Sequence, residues 1–335
     1  MSIKTKVLLC SPYGGAVGGI SRWTGHILNH YLTNSTSVTV ELDQFYIVGN
    51  AVFKNTRKLK RLLIGIIKYI PFLLKLVSKI KSGGYNVIHF TSSGSISLIR
   101  DIISVEIAKV YNIPSIIHFR FGRIPELYIK HNWEQKLIHK LINKSDKVIV
   151  IDIPSYNTLI KEGYTNISLL SNPLSNEVIN IIDNNPNIKR INRQILFAAH
   201  VIETKGVFEL IKACKDIPHI KVKLVGYVNE DIKSKIYNLI NDDNEWLEII
   251  GQMDYKSTIK EMLECGIFVL PSYTEGFPNV ILESMACGCP IIASAVGAIP
   301  EMLDIESDSP CGVCIEPRNE LQLKNAITNL LNDRE

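Results

Sequence analysis

The chain has 335 residues, about twice the size of a typical domain, so its length favours two domains. Hydrophobic residues make up 46% and charged residues 21% of it, a composition typical of folded globular proteins, and the net charge of +4 gives no reason to expect a nucleic-acid partner. The apolar run at residues 7–10 is too short for a secretory signal. Seven cysteines without such a signal indicate a reducing cytoplasm.

Short β-branched runs alternate with helical stretches over nearly the whole length, a pattern typical of α/β domains with parallel sheets. The predicted strands are, in chain order, residues 6–10, 38–45, 86–90, 115–119, 147–151, 194–198, 221–225, 247–250, 267–270, 291–293 and 313–315. The segment 171–192, rich in Asn and Pro, is typical of a linker or hinge between two sets of strands. We therefore predict two doubly wound domains that face each other across a cleft, with ligands beyond the carboxyl ends of the strands.

A glycine-rich loop follows the first predicted strand, in the sequence SPYGGAVGGISRW. Its glycines, Gly14, Gly15, Gly18 and Gly19, leave bare backbone where side chains would block a phosphate or a sugar, and a helix is predicted to begin near Ile20. The spacing is not the GxGxxG of dinucleotide-binding proteins, and no acidic residue follows at the distance that a ribose contact needs. The loop is a candidate ligand contact, and an ordinary turn between strand and helix is the alternative.

The segment 54–81 is strongly basic, with nine Lys or Arg residues and no Asp or Glu. Its apolar side chains could lie in a membrane interface while the basic residues at 57, 58, 60 and 61 face anionic headgroups. The alternative is an ordinary helix with one packed and one solvated face. The run at 62–77 is shorter than the ~20 residues that a bilayer needs, and it contains Lys68, Pro71 and Lys75.

Two close cysteine pairs, Cys287 with Cys289 and Cys311 with Cys314, raise the question of a metal or redox site. The second pair lies in an apparent strand that ends at Pro317, and no histidine or further cysteine pair has the spacing of zinc ligands. We therefore predict neither a metal centre nor a bound cofactor.

Lys205 and Gly206 stand at the start of a predicted helix that follows a strand. A lysine in this place can neutralise an anion that also faces the unpaired N–H groups of the helix. Taken alone, such a lysine is more often a solvated surface residue.

Glu275 and Glu283 bracket the sequence GFPNVIL, between the predicted strand at 267–270 and a helix predicted to begin near Pro278. Glu275 then lies in the loop at the carboxyl end of the strand. Glu283 lies about five residues into the helix, roughly 8 Å along its axis.

The N-terminus of that helix, with the amides of Phe277, Asn279 and Val280, is expected to point between the two carboxylates. One carboxylate could hold hydroxyls of a sugar and the other hydroxyls of a ribose, with the amides facing the diphosphate between them. The spacing therefore favours a nucleotide sugar as the ligand.

These motifs, in this order, resemble the family 4 retaining glycosyltransferases, which have the GT-B fold, and the similarity covers nearly all of the chain. The family carries a motif of Glu, seven residues and Glu, here EGFPNVILE, followed by a small-residue helix and a Gly-x-Pro-Ile strand, here SMACGCPIIAS, and then by GAIPE. The resemblance also takes in the glycine loop, the strand end at His118 (IPSIIHFRFGR), the Asn-Pro crossover at 172–173 and the Lys-Gly pair at 205–206.

The resemblance implies two Rossmann-like domains, an acceptor-side domain at 1–172 and a donor-binding domain at 173–335. Glu275 would contact the hydroxyls of the donor sugar, and Glu283 would contact the ribose. Lys205 would neutralise the diphosphate.

From the other domain, Gly18 and Gly19 would close over the diphosphate, and His118 would lie beside the sugar, close to the reacting carbon. A lone histidine at a strand end is otherwise more often a hydrogen-bonded structural residue. Where the family usually has Gly-Arg before the lysine, this chain has Ala199 and His200. Histidine carries charge only below a pKa near ~6.5, so His200 would bind phosphates more weakly than arginine at alkaline pH.

Two further features follow from the comparison with that family. The family usually has another helix after the one predicted at 319–333, whereas this sequence stops at Glu335, so we expect either a shortened chain or domains that are held less firmly. There is no Asp-x-Asp metal motif, so we expect Lys205 and the helix N-terminus to stabilise the leaving diphosphate without a metal ion.

The sequence thus predicts a retaining hexosyltransferase that moves a sugar from a UDP- or GDP-sugar to a glycan or lipid-linked acceptor, in bacterial polysaccharide or lipopolysaccharide assembly. The predicted location is the cytoplasm, on the inner face of the membrane if the basic segment binds lipid. One alternative is a non-catalytic partner subunit with the same fold. Another is a nucleotide-sugar epimerase, which would need acid and base groups on both faces of the sugar.

Overall fold

In the computed structural model, residues 4–13, 18–34, 39–47, 58–240 and 245–332 are described, with the backbone alone for 58–68. The chain divides into two compact units, Met1–Asn172 and Pro173–Glu335. Each unit contains a parallel sheet with helices, so the predicted α/β class is confirmed in both.

The N-terminal unit contains one parallel sheet within its described residues. Its strands are β1 (Thr5–Ser11), β2 (Val40–Tyr46), β3 (Val87–Ser92), β4 (Ser115–Phe119), β5 (Lys147–Val150) and β6 (Ile167–Leu169). Its helices are α1 (Gly19–Thr33), α2 (Lys58–Gly83), α3 (Ser97–Val110), α4 (Ile124–Lys130), α5 (Trp133–Lys144) and α6 (Ile153–Lys161). The strand order is β2-β1-β3-β4-β5-β6, so the order reverses between β1 and β3.

The C-terminal unit repeats this architecture. Its strands are β7 (Ile191–Ala198), β8 (Lys221–Val225), β9 (Leu247–Gly251), β10 (Cys265–Leu270), β11 (Ile291–Ser294) and β12 (Val313–Ile315). Its helices are α7 (Asn176–Asp183), α8 (Val207–Cys214), α9 (Glu230–Ile240), α10 (Tyr255–Glu264), α11 (Asn279–Ala286), α12 (Ile299–Met302) and α13 (Glu320–Asn332). The strand order is β12-β11-β10-β7-β8-β9.

Central strands are apolar because helices cover the sheets. Every residue of β10, CGIFVL, is buried, as expected for a parallel strand with both faces covered. In the N-terminal unit, Phe90 and Phe119 lie in one core with Leu98 and Ile138 from two helices. None of the described helices is long and apolar enough to cross a bilayer.

The predicted strands are confirmed with small shifts at their ends, although residue 38, where one was predicted to begin, lies outside the described residues. The edge strand β6 was not predicted, because a serine interrupts its short apolar run, ISL, in which only Ile167 is buried. The boundary between the two units, after Asn172, lies inside the predicted linker at 171–192, but that segment is not wholly a loop. That segment contains α7, whose N-terminus is capped by Ser175 Oγ and which buries Val178 and Ile181. The many Asn residues give this segment the composition of a loop, so the short apolar face of α7 was not predicted.

The strand order of the second sheet determines where loops meet. From β7, the chain first adds β8 and β9 on one side, and then β10, β11 and β12 on the other. The loops that leave the carboxyl ends of β7 and β10 therefore flank the point where the order reverses. In open α/β sheets this is where a crevice forms and ligands bind.

Candidate functional site

Lys205 and Glu275 lie 70 residues apart in sequence. They form an ion pair at the carboxyl ends of β7 and β10 in the second sheet. Lys205 follows β7 and Glu275 follows β10. Lys205 Nζ donates to Glu275 Oε1 at 2.6 Å, and Ser272 Oγ donates to the same oxygen at 2.7 Å. The side chains of Lys205 and Glu275 are 25% and 11% exposed, so the pair is partly accessible. A cation and a carboxylate are thus held together at the position where a ligand is expected.

The backbone holds the Lys205 loop directly against the exit of β10. Gly206 has φ +73°, a left-handed conformation that suits glycine, and a Cβ on it would lie 2.0 Å from the carbonyl oxygen of Pro271. The amide of Tyr273 donates to the carbonyl of Thr204 at 3.0 Å. Close backbone packing therefore fixes the position of Lys205 relative to Glu275.

A third loop, after β11, supports the backbone of Glu275 from the other side. Gly297 has φ +59°, and a Cβ there would lie 2.4 Å from the carbonyl oxygen of Glu275. The amide of Ala298 donates to the carbonyl of Gly276 at 2.8 Å. These contacts explain the glycine in the GAIPE sequence by steric need.

Glu283 occupies the fifth position of α11 and is buried, with 3% of its surface exposed. Tyr255 donates its hydroxyl to Glu283 Oε1 at 2.9 Å. Asn279 and Val280 form the start of α11, and Phe277 lies just before it; all three are partly buried. The structure thus places Glu275 outside the helix and Glu283 inside it, as the sequence indicated, but the second carboxylate is far less accessible than the first.

His200 lies just after β7 and is exposed. Its ring meets the ring of Tyr227 edge-on, with centroids 6.4 Å apart. The amide of Ala199 donates to Val225 O at 3.0 Å, and a Cβ on Gly226 would lie 1.9 Å from Ala199 O. His200 therefore stands at the same sheet edge as Lys205, on a tightly packed backbone.

In the N-terminal unit, Gly18 and Gly19 are exposed at the start of α1, while Gly14 and Gly15 lie outside the described residues. A Cβ added to Gly18 or Gly19 would meet nothing within 4 Å. Neither close packing among the described residues nor a positive φ explains these two glycines, and both are exposed.

His118 ends β4 in a cluster with His89, Arg120 and Trp23 that the sequence analysis missed. His118 is fully buried, and Arg120 Nη1 donates to its Nε2 at 3.2 Å. Because arginine can only donate, His118 Nε2 accepts and Nδ1 carries the hydrogen, which it donates to His89 Nε2 at 3.3 Å. The ring of Trp23 packs edge-on against His118 at 5.1 Å between centroids. A signal was present in the sequence, since His89 is a polar residue within the apolar strand VIHF.

Both histidines of this cluster are neutral near pH 7. Burial, and then the nearby charges of Arg120 and His89, hold the pKa of His118 well below its usual value. Burial and Arg120 lower the pKa of His89 to about 4. His118 is thus a neutral imidazole whose orientation is fixed by two ring contacts and two hydrogen bonds.

Among the described residues, no group of three or more His, Cys, Asp or Glu side chains could hold a metal ion. Cys311 lies outside β12 and is exposed, whereas the prediction had placed it in the strand. Cys287 and Cys289 are buried, and Cys289 Sγ lies 3.8 Å from Cys265 Sγ.

Residues 178–335 match the family model described as "Glycosyl transferases group 1". The C-terminal unit is thus similar in sequence to group 1 glycosyltransferases. An uncharacterised glycosyltransferase of Methanocaldococcus jannaschii is 35% identical over 141 residues, 42% of this chain and 38% of the relative. The N,N'-diacetylbacillosaminyl-diphospho-undecaprenol alpha-1,3-N-acetylgalactosaminyltransferase of Campylobacter jejuni is 30% identical over 141 residues, 42% of this chain and 35% of the relative. The matched region thus spans little more than a third of the length of these curated relatives.

The likeness in structure extends to both units of the chain. The Anabaena protein HepE, solved in complex with UDP-glucose, has a TM-score of 0.67 and 17% identity, and the match covers 98% of this chain and 90% of that chain. Identity at this level shows the fold alone. The fold is the GT-B fold, which confirms the predicted fold class.

Proposed function

We propose that the protein is a retaining glycosyltransferase of family 4 that moves a sugar from a UDP- or GDP-sugar to a glycan or lipid-linked acceptor. The observation that carries this proposal is the Lys205–Glu275 ion pair at the ligand-binding edge of the second sheet. The family assignment of this unit and the UDP-glucose bound by HepE support it.

Donor binding would replace one set of charge contacts with another. Without donor, Lys205 and Glu275 neutralise each other at 2.6 Å. The diphosphate of the donor would take the contact of Lys205, and the sugar hydroxyls would take that of Glu275, so neither charge is left unpaired in either state. Glu283 would contact the ribose, which then shares the carboxylate with Tyr255.

The leaving diphosphate would be stabilised by Lys205, with His200 contributing, and by the N-terminus of α11, where Asn279 and Val280 lie in the first turn. No step of this mechanism uses a metal ion or a bound cofactor. Retention would follow from attack on the same face of the sugar, with the departing phosphate accepting the proton of the acceptor.

The N-terminal unit would supply the acceptor side. Gly18 and Gly19 offer open backbone at the start of α1, and neutral His118 has a fixed orientation at the end of β4. His118 would need to become accessible to touch the sugar, since it is fully buried here.

Donor binding tests this function. In a calorimetric and thermal-shift screen of UDP- and GDP-sugars, we expect one donor to stabilise the wild type, and Glu283→Gln to weaken its binding. Tyr255→Phe is the matched control, because it removes the hydrogen bond to Glu283 and keeps the carboxylate. Slow hydrolysis of that donor without acceptor would exclude a non-catalytic subunit. Absence of binding for every donor would favour the subunit instead.

A lipid-linked acceptor would bring the protein to a membrane surface on the cytoplasmic side, through 54–81. Residues 54–57 lie outside the described residues, and the remainder forms most of α2. In α2, Ile70 and Leu74 are 51% and 67% exposed, one turn apart, while Leu76 and Ile80 are buried. The Campylobacter relative, whose name includes a diphospho-undecaprenol acceptor, supports this proposal.

Vesicle sedimentation tests the membrane surface. We expect binding to anionic vesicles that high salt weakens and that Leu74→Ser reduces. The control is Leu321→Ser, because Leu321 is 68% exposed on α13 in the other unit. Equal binding to neutral vesicles, or equal loss in both variants, would contradict the proposal.

A further inference from the structure

Arg120 is a cation without a counter-charge in the part of the chain that the structure describes. Its guanidinium lies 4.6 Å over the ring of Trp23, and Nη1 donates to His118 at 3.2 Å. Nε is buried and has no hydrogen-bond partner. None of the described carboxylates forms an ion pair with it.

Two other arginines of the N-terminal unit show what Arg120 lacks. Arg100 is buried and donates from Nε and Nη2 to Asp101 Oδ1 at 2.8 and 2.6 Å. Arg123, three residues after Arg120, pairs with Glu134. The chain thus supplies a carboxylate to each of these guanidinium groups and none to Arg120.

An uncompensated charge of this kind costs folding free energy. Burial lowers the pKa of Arg120 to about 9, which means that the surroundings disfavour its charged form. Its neighbours supply no negative charge, because His118 and His89 are neutral near pH 7 and the Trp23 ring offers only a cation–π contact. Such a residue is explained if a ligand supplies the missing negative charge.

We propose that Arg120, held over Trp23, forms a subsite for an oxyanion, a phosphate or a carboxylate, carried by the acceptor. Nη1 is occupied by His118, which leaves the edge formed by Nε and Nη2, the same edge that Arg100 presents to Asp101. The two N–H groups on this edge can donate to two oxygens of a phosphate or a carboxylate at the same time. Because Nε is shielded, the ligand reaches both donors after a small rotation of the guanidinium.

The place of Arg120 in the fold agrees with this role. It follows the carboxyl end of β4, which pairs with β3 beside the reversal of strand order. Ligands of open α/β sheets bind at these ends. Assigning the oxyanion to an acceptor rests on the proposed function, whereas the anion subsite itself does not.

The experiment measures binding of inorganic phosphate and of acetate to the full chain, by calorimetry and by tryptophan fluorescence. All variants carry Lys205→Ala, which removes the other expected phosphate contact. We expect phosphate or acetate to bind and to change the fluorescence of Trp23. Adding Arg120→Gln should weaken binding about tenfold or more, because the charge and the fork are both lost. The anion affinity of Arg120→Lys should lie between those of the parent and Arg120→Gln, because lysine keeps the positive charge but lacks the paired N–H donors of the guanidinium.

The matched control is Arg123→Gln, which removes a paired guanidinium of the same loop and should leave anion binding unchanged. Thermal unfolding separates a binding role from a structural one. Without ligand, Arg120→Gln should melt at the same temperature as its parent or higher, because a partly buried charge without a counter-ion is removed, whereas Arg123→Gln should melt lower. Stronger binding of phosphate would indicate a phosphorylated acceptor, and stronger binding of acetate an acidic sugar.

Anion affinity that is the same with and without Arg120→Gln would overturn the proposal. A lower melting temperature of that variant, together with equal anion binding, would show a structural role instead. If no nucleotide sugar binds while phosphate still requires Arg120, the transferase proposal fails and the anion subsite stands.

Discussion

Glu275→Gln should lower the rate of sugar transfer by about 100-fold or more, the scale that follows from removing one charge-directed contact in a reaction centre. Glu275 Oε1 accepts from both Lys205 and Ser272, at 2.6 and 2.7 Å. Glutamine keeps the shape but loses the charge, so Lys205 is left without its counter-ion and, in the proposed donor complex, the sugar hydroxyls would lose a strong acceptor. The measurement is donor affinity by calorimetry together with steady-state transfer kinetics.

The control is an ion pair of similar geometry elsewhere in the same unit. Lys223 Nζ lies 2.7 Å from Glu261 Oε2, and both side chains are 14% exposed. Glu261→Gln therefore removes a comparable pair, on strand β8 and helix α10, and should leave donor affinity and transfer rate unchanged. Equal loss of activity in the two variants would mean that the effect comes from folding and not from the ligand contact.

Lys205→Met separates the roles of the two partners. If Lys205 binds the diphosphate, its variant should also lose affinity for the free nucleoside diphosphate, whereas Glu275→Gln should lose affinity only for the nucleotide sugar. The same loss in both variants for both ligands would contradict the division of roles proposed for the pair.

The sequence allowed the fold class and most strands to be predicted, because parallel strands buried on both faces leave clear apolar runs. The run CGIFVL of β10 is an example. Strand β6 and helix α7 were not predicted, because a serine interrupts the run ISL of β6 and the Asn-rich composition of α7 obscured its short apolar face. Local pattern therefore fails where polar residues interrupt a short apolar element.

The candidate site was predictable residue by residue but not contact by contact. Glu275 and Lys205 were both singled out, yet their ion pair depends on β7 and β10 being neighbours, which the strand order decides and the local sequence does not. Arg120 was missed for a related reason. Its lack of a carboxylate is a property of the packed unit, and the sequence around it, HFRFGR, contains another arginine that does find one.

The second large effect that we expect is a loss of stability caused by a single added methyl group, in Gly206→Ala. Gly206 has φ +73°, and a Cβ there would lie 2.0 Å from Pro271 O and 2.7 Å from Pro271 C, both backbone atoms that cannot rotate away. Steric strain from the positive φ costs about 1–2 kcal/mol for a residue with a Cβ, and the clash adds to it. We expect a total loss of several kcal/mol in the free energy of unfolding, measured by urea denaturation.

Gly251→Ala provides the matched comparison, because Gly251 has φ +83° in the same unit and a Cβ there would meet nothing within 4 Å. The loss of unfolding free energy in Gly251→Ala should be limited to the strain of the backbone, about 1–2 kcal/mol. Gly206→Ala should also abolish donor binding at temperatures where it remains folded, since relief of the clash moves Lys205 away from Glu275, whereas Gly251→Ala should bind donor normally. Equal losses of stability would show that φ alone requires glycine at residue 206, and retained donor binding would show that the contact between the loops does not position Lys205.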